Sequence, residues 1–186
     1  MQTTSDEALI QRIAGGDRLA MQVLFVRHHV RVYRFVLRFV RHEAMAEDLV
    51  SEVFLEVWRK AGTFEGRSSV STWMLSVARF KALSAVRKRV DEELDDERAE
   101  AIIDTADDPE ASLAKKDSSA ALRACMNALS TTHREIIDLV YYHEKSVEEC
   151  ALIVGIPEAT VKTRMFYARK KLGELLKQRG IERGWP

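Results

Sequence analysis

The residues of this 186-residue chain best suited to chemistry lie near its C-terminal end. From Pro157 to Leu172, Val161, Met165, Ala168 and Leu172 recur at helical spacing. Lys162, Thr163, Phe166, Arg169 and Lys170 spread over the other faces. Ammonium, guanidinium and hydroxyl groups on one helix face suit phosphate oxygens and base edges. Such a helix can enter a major groove, with its N-terminal residues at the bases and its later basic residues at phosphates. The residues before it fit a helix-turn-helix. Ala151 is small enough for a close helix crossing, and Gly155 can take the left-handed conformation that ends a helix. Val161 would pack the second helix back on the first. Pro157 and Glu158 suit a helix start, where the first amides need no partner and the positive end favours a carboxylate. A solvated basic helix in a helical hairpin is the plainer alternative. The agreement of caps, spacing and charge favours DNA.

Other chemistries find no residues to carry them. The sequence has no Gly-rich phosphate loop, nucleophile elbow or metal-ligand cluster, so an enzyme is not expected and no cofactor or metal is implied. Cys125 and Cys150 form no Cys-x-x-Cys pair and sit in apolar helical patterns, which suits buried, inert thiols. The formal net charge is zero, but its distribution is uneven. Residues 21–90 carry 13 Lys/Arg against 6 Asp/Glu, or +7, and residues 113–186 carry 13 against 9, or +4. Between them, residues 91–112 carry 1 against 11, or −10. Two basic bodies joined by an acidic strap are expected from such blocks.

The elements that must position these residues are helices. Glycine (8) and proline (3) are too scarce for a many-stranded sheet, while 46% hydrophobic residues allow packed cores. The pattern predicts a helix from a Thr4-x-x-Glu7 capping box to Gly15-Gly16, then helices over 19–40, 43–60 and 70–89. Trp73 is read as core because Val70, Leu75 and Val77 around it are apolar. Residues 91–112 have little periodicity, and Asp107-Asp108-Pro109 breaks any helix, so a flexible linker is expected. A second bundle follows: a helix over 113–129, one capped by Thr132-x-x-Glu135, a short one capped by Ser146-x-x-Glu149, and the last reaching residue 179. The fold class is thus all-α, two small helical domains (1–90 and 113–186) joined by an acidic linker. No stretch is apolar enough to span a bilayer and no signal peptide opens the chain, so a cytoplasmic protein is expected.

Two stretches then match a known family. Residues 46–59, from Ala46-Glu47-Asp48-Leu49 to Val57-Trp58-Arg59, and residues 64–79, from Phe64-Glu65-Gly66-Arg67 to Val77-Ala78-Arg79, resemble sigma region two. The tail from Ala128-Leu129-Ser130 through Thr160-Val161-Lys162-Thr163-Arg164 to Ala168-Arg169 resembles sigma region four. The ordered pair, with no third domain between, is similar to RNA polymerase sigma factors of the extracytoplasmic-function (ECF) branch of the sigma-70 family.

The resemblance implies a bacterial transcription initiation factor. Glu47, Asp48, Ser51, Glu52 and Phe54 would bind the clamp helices of the polymerase largest subunit, with Ser51 replacing the usual glutamine. Phe64, Arg67, Ser71, Arg79, Phe80, Lys81 and Arg87 would open and read the −10 element, since single strands need flat surfaces for bases and cations for phosphates. Lys88 and Arg89 could add to that track. Phe80 and Ser84 depart from the Asn and Asp common in relatives. Thr160, Lys162, Thr163, Arg164, Phe166, Tyr167, Arg169 and Lys170 would meet the −35 element. The acidic strap would thread the polymerase channel towards the RNA exit; a merely solvated tether is the plainer alternative. The implied partners are core RNA polymerase, promoter DNA and a cognate anti-sigma factor, with no membrane insertion. A sigma mimic that sequesters an anti-sigma factor would not need the basic last helix. A stand-alone helix-turn-helix repressor would leave the first domain unexplained.

Overall fold

The computed structural model describes residues 4–95 and 113–180. All regular structure among these residues is helical, without a strand, and the chain divides into two compact units. The first holds α1 (Asp6–Ala14), α2 (Arg18–Val40), α3 (Glu43–Lys60) and α4 (Val70–Asp95). The second holds α5 (Leu113–Ala128), α6 (Thr131–Ile137), α7 (Val147–Val154) and α8 (Glu158–Gln178).

In the first unit α2 is the central helix, packed on α1, α3 and α4. Leu24, Val32, Phe35 and Val36 of α2, Leu9, Ile10 and Ile13 of α1, Val53 and Val57 of α3, and Met74 and Ala78 of α4 are all buried in the core of this unit. Each large side chain removed from water here contributes about 1.5–3 kcal/mol. The cap of α1 is Ser5, not Thr4: the Ser5 hydroxyl accepts from the Ala8 amide at 3.2 Å. Asp6 then ties α1 to α2, accepting from Arg27 at 2.7 Å and lying 2.6 Å from His28 Nε2. Burial alone would raise the Asp6 carboxyl, but hydrogen bonds and charge from Arg27 and His28 outweigh it and hold the group below its ordinary value. Helix α4 runs to Asp95, past the expected stop near residue 89, because a run of acids does not break a helix as proline or glycine does. The rest of the acidic strap, 96–112, lies outside the described residues.

The second unit is built around α8. Cys125 and Leu129 at the end of α5, Ile137 of α6, and Ala168, Leu172 and Leu176 of α8 form one core cluster. Ser130, not Thr132, caps α6, its hydroxyl accepting from the His133 amide at 3.3 Å. Arg134 is buried against the end of α5 and donates to the carbonyls of Met126 (3.0 Å), Asn127 (2.9 Å) and Leu129 (2.9 Å). A guanidinium there satisfies orphan carbonyls and meets the negative helix end. A π turn, Asp138–Tyr142, continues α6, with the His143 amide donating to the Asp138 carbonyl at 3.1 Å. Asp138 and His143 are both buried, and their side chains approach to 3.3 Å across this turn.

Candidate nucleic-acid interface

The helix-turn-helix is formed by α7, a tight turn and α8. Ser146 and Glu149 make the reciprocal capping box that starts α7. Gly155 ends it with φ 73° and ψ 38°, its amide donating to the Ala151 carbonyl at 2.8 Å. A side chain at Gly155 would meet no neighbour, so the constraint is the left-handed backbone and not space. Pro157 occupies the N-cap of α8 in an extended conformation, and Glu158 is the first helical residue. Val161, Ala168 and Leu172 are fully buried, while Met165 is half-buried at the edge of the same stripe.

The outer face of α8 is accessible. Lys162, Thr163, Phe166, Tyr167, Arg169 and Lys170 are exposed; Thr160 and Arg164 are half-buried at its margin. Lys162, Phe166 and Arg169 follow one another down one flank, at spacings of four and three residues. Tyr167 projects from the other side of the crest, and its ring meets Phe166 edge-on at 5.4 Å. The Thr163 hydroxyl donates to the Ala159 carbonyl at 2.9 Å, which leaves its oxygen able to accept. The Arg169 guanidinium lies 5.5 Å from the centroid of the Tyr141 ring. Tyr141 escapes a sequence reading because its neighbours carry no basic or groove-reading pattern.

A second surface occupies the first unit. Seven-residue steps put Trp73, Phe80 and Arg87 on one face of α4. Phe80 is 71% exposed, Arg87 is exposed and Trp73 is half-buried. Phe64 packs on Trp73 with ring centroids 5.1 Å apart. Trp73, read as core, is half-buried instead: it is offset from the buried Met74, Ala78 and Ala82, and its ring packs on Phe64 at an interplanar angle of 42°. Arg67 is highly exposed and pairs with Glu65. Ser71 and Ser69 hydroxyls lie 3.2 Å apart at the start of α4, where Ser69 accepts from the Thr72 amide. Arg79 and Lys81 fall on the flanks of α4, away from the Phe80 face, and both are half-buried.

The acidic face of α3 presents Glu47, Asp48, Ser51 and Glu52 to solvent. Phe54 does not belong to that face. It is 4% exposed, with its ring against Phe25 at 4.7 Å, so it supports the surface from beneath. Leu55, exposed among the acids, is the apolar group of this face. Its position off the Val50, Val53 and Val57 stripe was the signal for it. The Ser51 hydroxyl donates to the Glu47 carbonyl at 3.2 Å and reaches less far than a glutamine. Lys81 donates to Glu52 at 3.1 Å, which joins the acidic face of α3 to the basic track of α4.

Among the described residues no group of acidic, histidine and cysteine side chains could hold a metal ion. Cys125 and Cys150 are buried free thiols, and burial, with Glu149 nearby, raises Cys150 to about 11. That keeps it protonated and unreactive. No helix of the described residues is long and apolar enough to cross a membrane.

Comparison with known proteins gives these surfaces a setting. Residues 24–91 match the family described as Sigma-70 region 2, and residues 119–172 match Sigma-70, region 4. The chain is 31% identical over 173 residues to the ECF RNA polymerase sigma factor SigK of Mycobacterium tuberculosis, covering 91% of this chain and 92% of that protein. It is 24% identical over 180 residues to the RNA polymerase sigma-H factor of Pseudomonas aeruginosa, covering 92% and 93%. Among solved structures, the sigma factor RpoE in complex with the anti-sigma factor NepR from Bartonella quintana matches with a TM-score of 0.67 and 28% identity, over 84% of this chain and 96% of that one. CnrH in complex with the cytosolic domain of CnrY matches with a TM-score of 0.70, over 94% and 99%; its 23% identity speaks to the fold alone.

Proposed function

The chain belongs to the ECF sigma factors of the sigma-70 family, alternative sigma factors that direct transcription initiation and are not enzymes, and from that premise we propose how its own surfaces divide the work. Residues 1–90 bind core RNA polymerase and melt the −10 element. Residues 113–186 read the −35 element, and residues 91–112 join the two. The observation that carries this reading is the outer face of α8. Six exposed side chains with cationic, hydroxyl or aromatic ends project from a helix fixed by the Gly155 turn.

On this reading Lys162, Thr163, Phe166 and Tyr167 approach base edges, with Thr160 beside them, while Arg164, Arg169 and Lys170 approach phosphates. In the first unit the Phe64, Trp73 and Phe80 surface stacks unpaired bases. Arg67, Arg79, Lys81 and Arg87 supply cations, and Ser71 lies at the head of α4. Glu47, Asp48, Ser51 and Glu52, with Leu55 among them, dock on the clamp helices of the polymerase. The solved relative bound to an anti-sigma factor supports an anti-sigma protein as a further partner.

The test is run-off transcription with core polymerase and a genomic promoter library. The parent protein should give discrete start sites with a shared −35 and −10 pair. Charge reversal at Asp48 should reduce association with core at unchanged helix content. Asp48 is the cleaner choice, because reversal at Glu52 also removes the pair with Lys81. Equal core binding by the Asp48 variant and the parent would remove the assignment of that face.

A further inference from the structure

The DNA-facing flank of α8 has a neighbour outside the helix-turn-helix. An i→i+5 turn holds one residue more than an α turn, so it changes which side chains leave the helix on which side. Across the π turn Asp138, Leu139 and His143 face inward at 2%, 0% and 3% exposure. Tyr141, between them, is turned outward at 37%. The direction it takes brings its ring beneath Arg169, with 5.5 Å from guanidinium carbon to ring centroid. Arg169 sits three residues beyond Phe166 and seven beyond Lys162, on the same exposed flank. The ring therefore reaches the flank through its last cation.

We infer that Tyr141 is a positioning residue of the DNA-binding surface, its ring holding the Arg169 guanidinium at the Lys162–Phe166 flank so that the charge is presented to a backbone phosphate. The inference rests on α8 being the −35 reader. Guanidinium groups lie flat on aromatic faces and keep their edge N–H donors available. A ring under the cation thus restricts the side chain without consuming the donors a phosphate needs. Asp138 and His143, buried with their side chains 3.3 Å apart, occupy the inner side of the turn from which Tyr141 points outward. Because a phosphate contact carries no base information, Tyr141 should affect affinity and not sequence choice.

The experiment uses the full chain assembled with core RNA polymerase, on promoter duplexes selected from a randomised −35 pool by the parent and on copies with that segment scrambled. Tyr141→Ala and Tyr141→Leu should weaken both duplexes alike, by roughly two- to fivefold, the size of an exposed cation–π contact. Tyr141→Phe, which keeps the ring, should stay near the parent. Tyr141→Ala should add little in an Arg169→Ala background, since the two groups act as one. A full additive loss in that background, an equal loss from Tyr141→Phe, a loss confined to the selected duplex, or no loss would each overturn the inference. Tyr141→Leu keeps bulk at the turn, and its thermal midpoint on the full chain shows whether the fold is intact. Lys170→Ala on the same duplexes separates the two levels. If Lys170→Ala weakens binding and Tyr141→Ala does not, only the role of Tyr141 fails; if Lys170→Ala and Arg169→Ala are also silent, the DNA reading of α8 fails with it.

Discussion

Lys162 and Lys170 are both exposed lysines on α8, eight residues apart, and the proposed docking of α8 gives them different partners. Lys162 lies in the second turn, which a helix end-on to the groove brings near base edges, while Lys170 lies where the helix leaves the groove. Lys162→Ala should therefore cost about 1–3 kcal/mol on the preferred −35 sequence and relax discrimination. Lys170→Ala should weaken all sequences alike and make the salt slope shallower by about one unit, the counterion released by one phosphate contact. Isotherms on selected and scrambled duplexes at several salt concentrations distinguish the two. Equal weakening of both duplexes by Lys162→Ala would move that ammonium to the backbone.

At the scale of elements, two residues fix where helices end, and each has a defined cost. Arg134 serves three carbonyls at the end of α5 with one planar fork, which a lysine ammonium on a flexible stem cannot reproduce. Arg134→Lys should destabilise the second unit by about 1–3 kcal/mol, the penalty of buried carbonyls left unsatisfied, and urea unfolding of the full chain would show it. Gly155 joins α7 to α8 at φ 73°. Gly155→Ala should cost about 1–2 kcal/mol from left-handed strain alone, since the added methyl meets no neighbour. If thermal melts show no loss, the turn has relaxed, and −35 binding should fall instead because the angle of α8 has changed.

For the whole molecule, charge is the organising quantity, locally at α1 and globally at the strap. Asp6 is held below its ordinary value, so its contribution is full above the unfolded carboxyl value and is lost as pH falls through the lower folded one. Asp6→Asn should accordingly destabilise the first unit at neutral pH. Its deficit against the parent should shrink in acid, below the ordinary value of 3.8. A deficit that stays constant down that range would mean the carboxylate charge plays no part in holding α1. The strap has a kinetic test. Replacing Asp91, Glu92, Glu93, Asp95 and Asp96 with serines should alter initiation or promoter escape more than core binding, if its −10 charge acts inside the polymerase channel. Parental transcription rates from that variant would make the segment a tether.

The helices and their order were legible in the sequence because a 3.6-residue stripe and a cap are decided within a few neighbouring residues. The bounds of α3, the capping box at Ser146 and the left-handed Gly155 all follow from local chemistry. The uneven charge that marks two basic bodies was legible for the same reason. What depends on the path of a distant segment was not. The contact of Phe54 with Phe25 joins α3 to α2, and no periodicity within α3 names that partner. Trp73 follows an apolar pattern, but it stays half-buried against Phe64, outside the Met74, Ala78 and Ala82 stripe. The pair Lys81–Glu52 spans two helices, and the support of Arg169 by Tyr141 exists only through a π turn that no periodicity announces. Side-chain type and spacing determined which groups this chain can present; the packing of one helix against the next decided which of them reach solvent, and beside what.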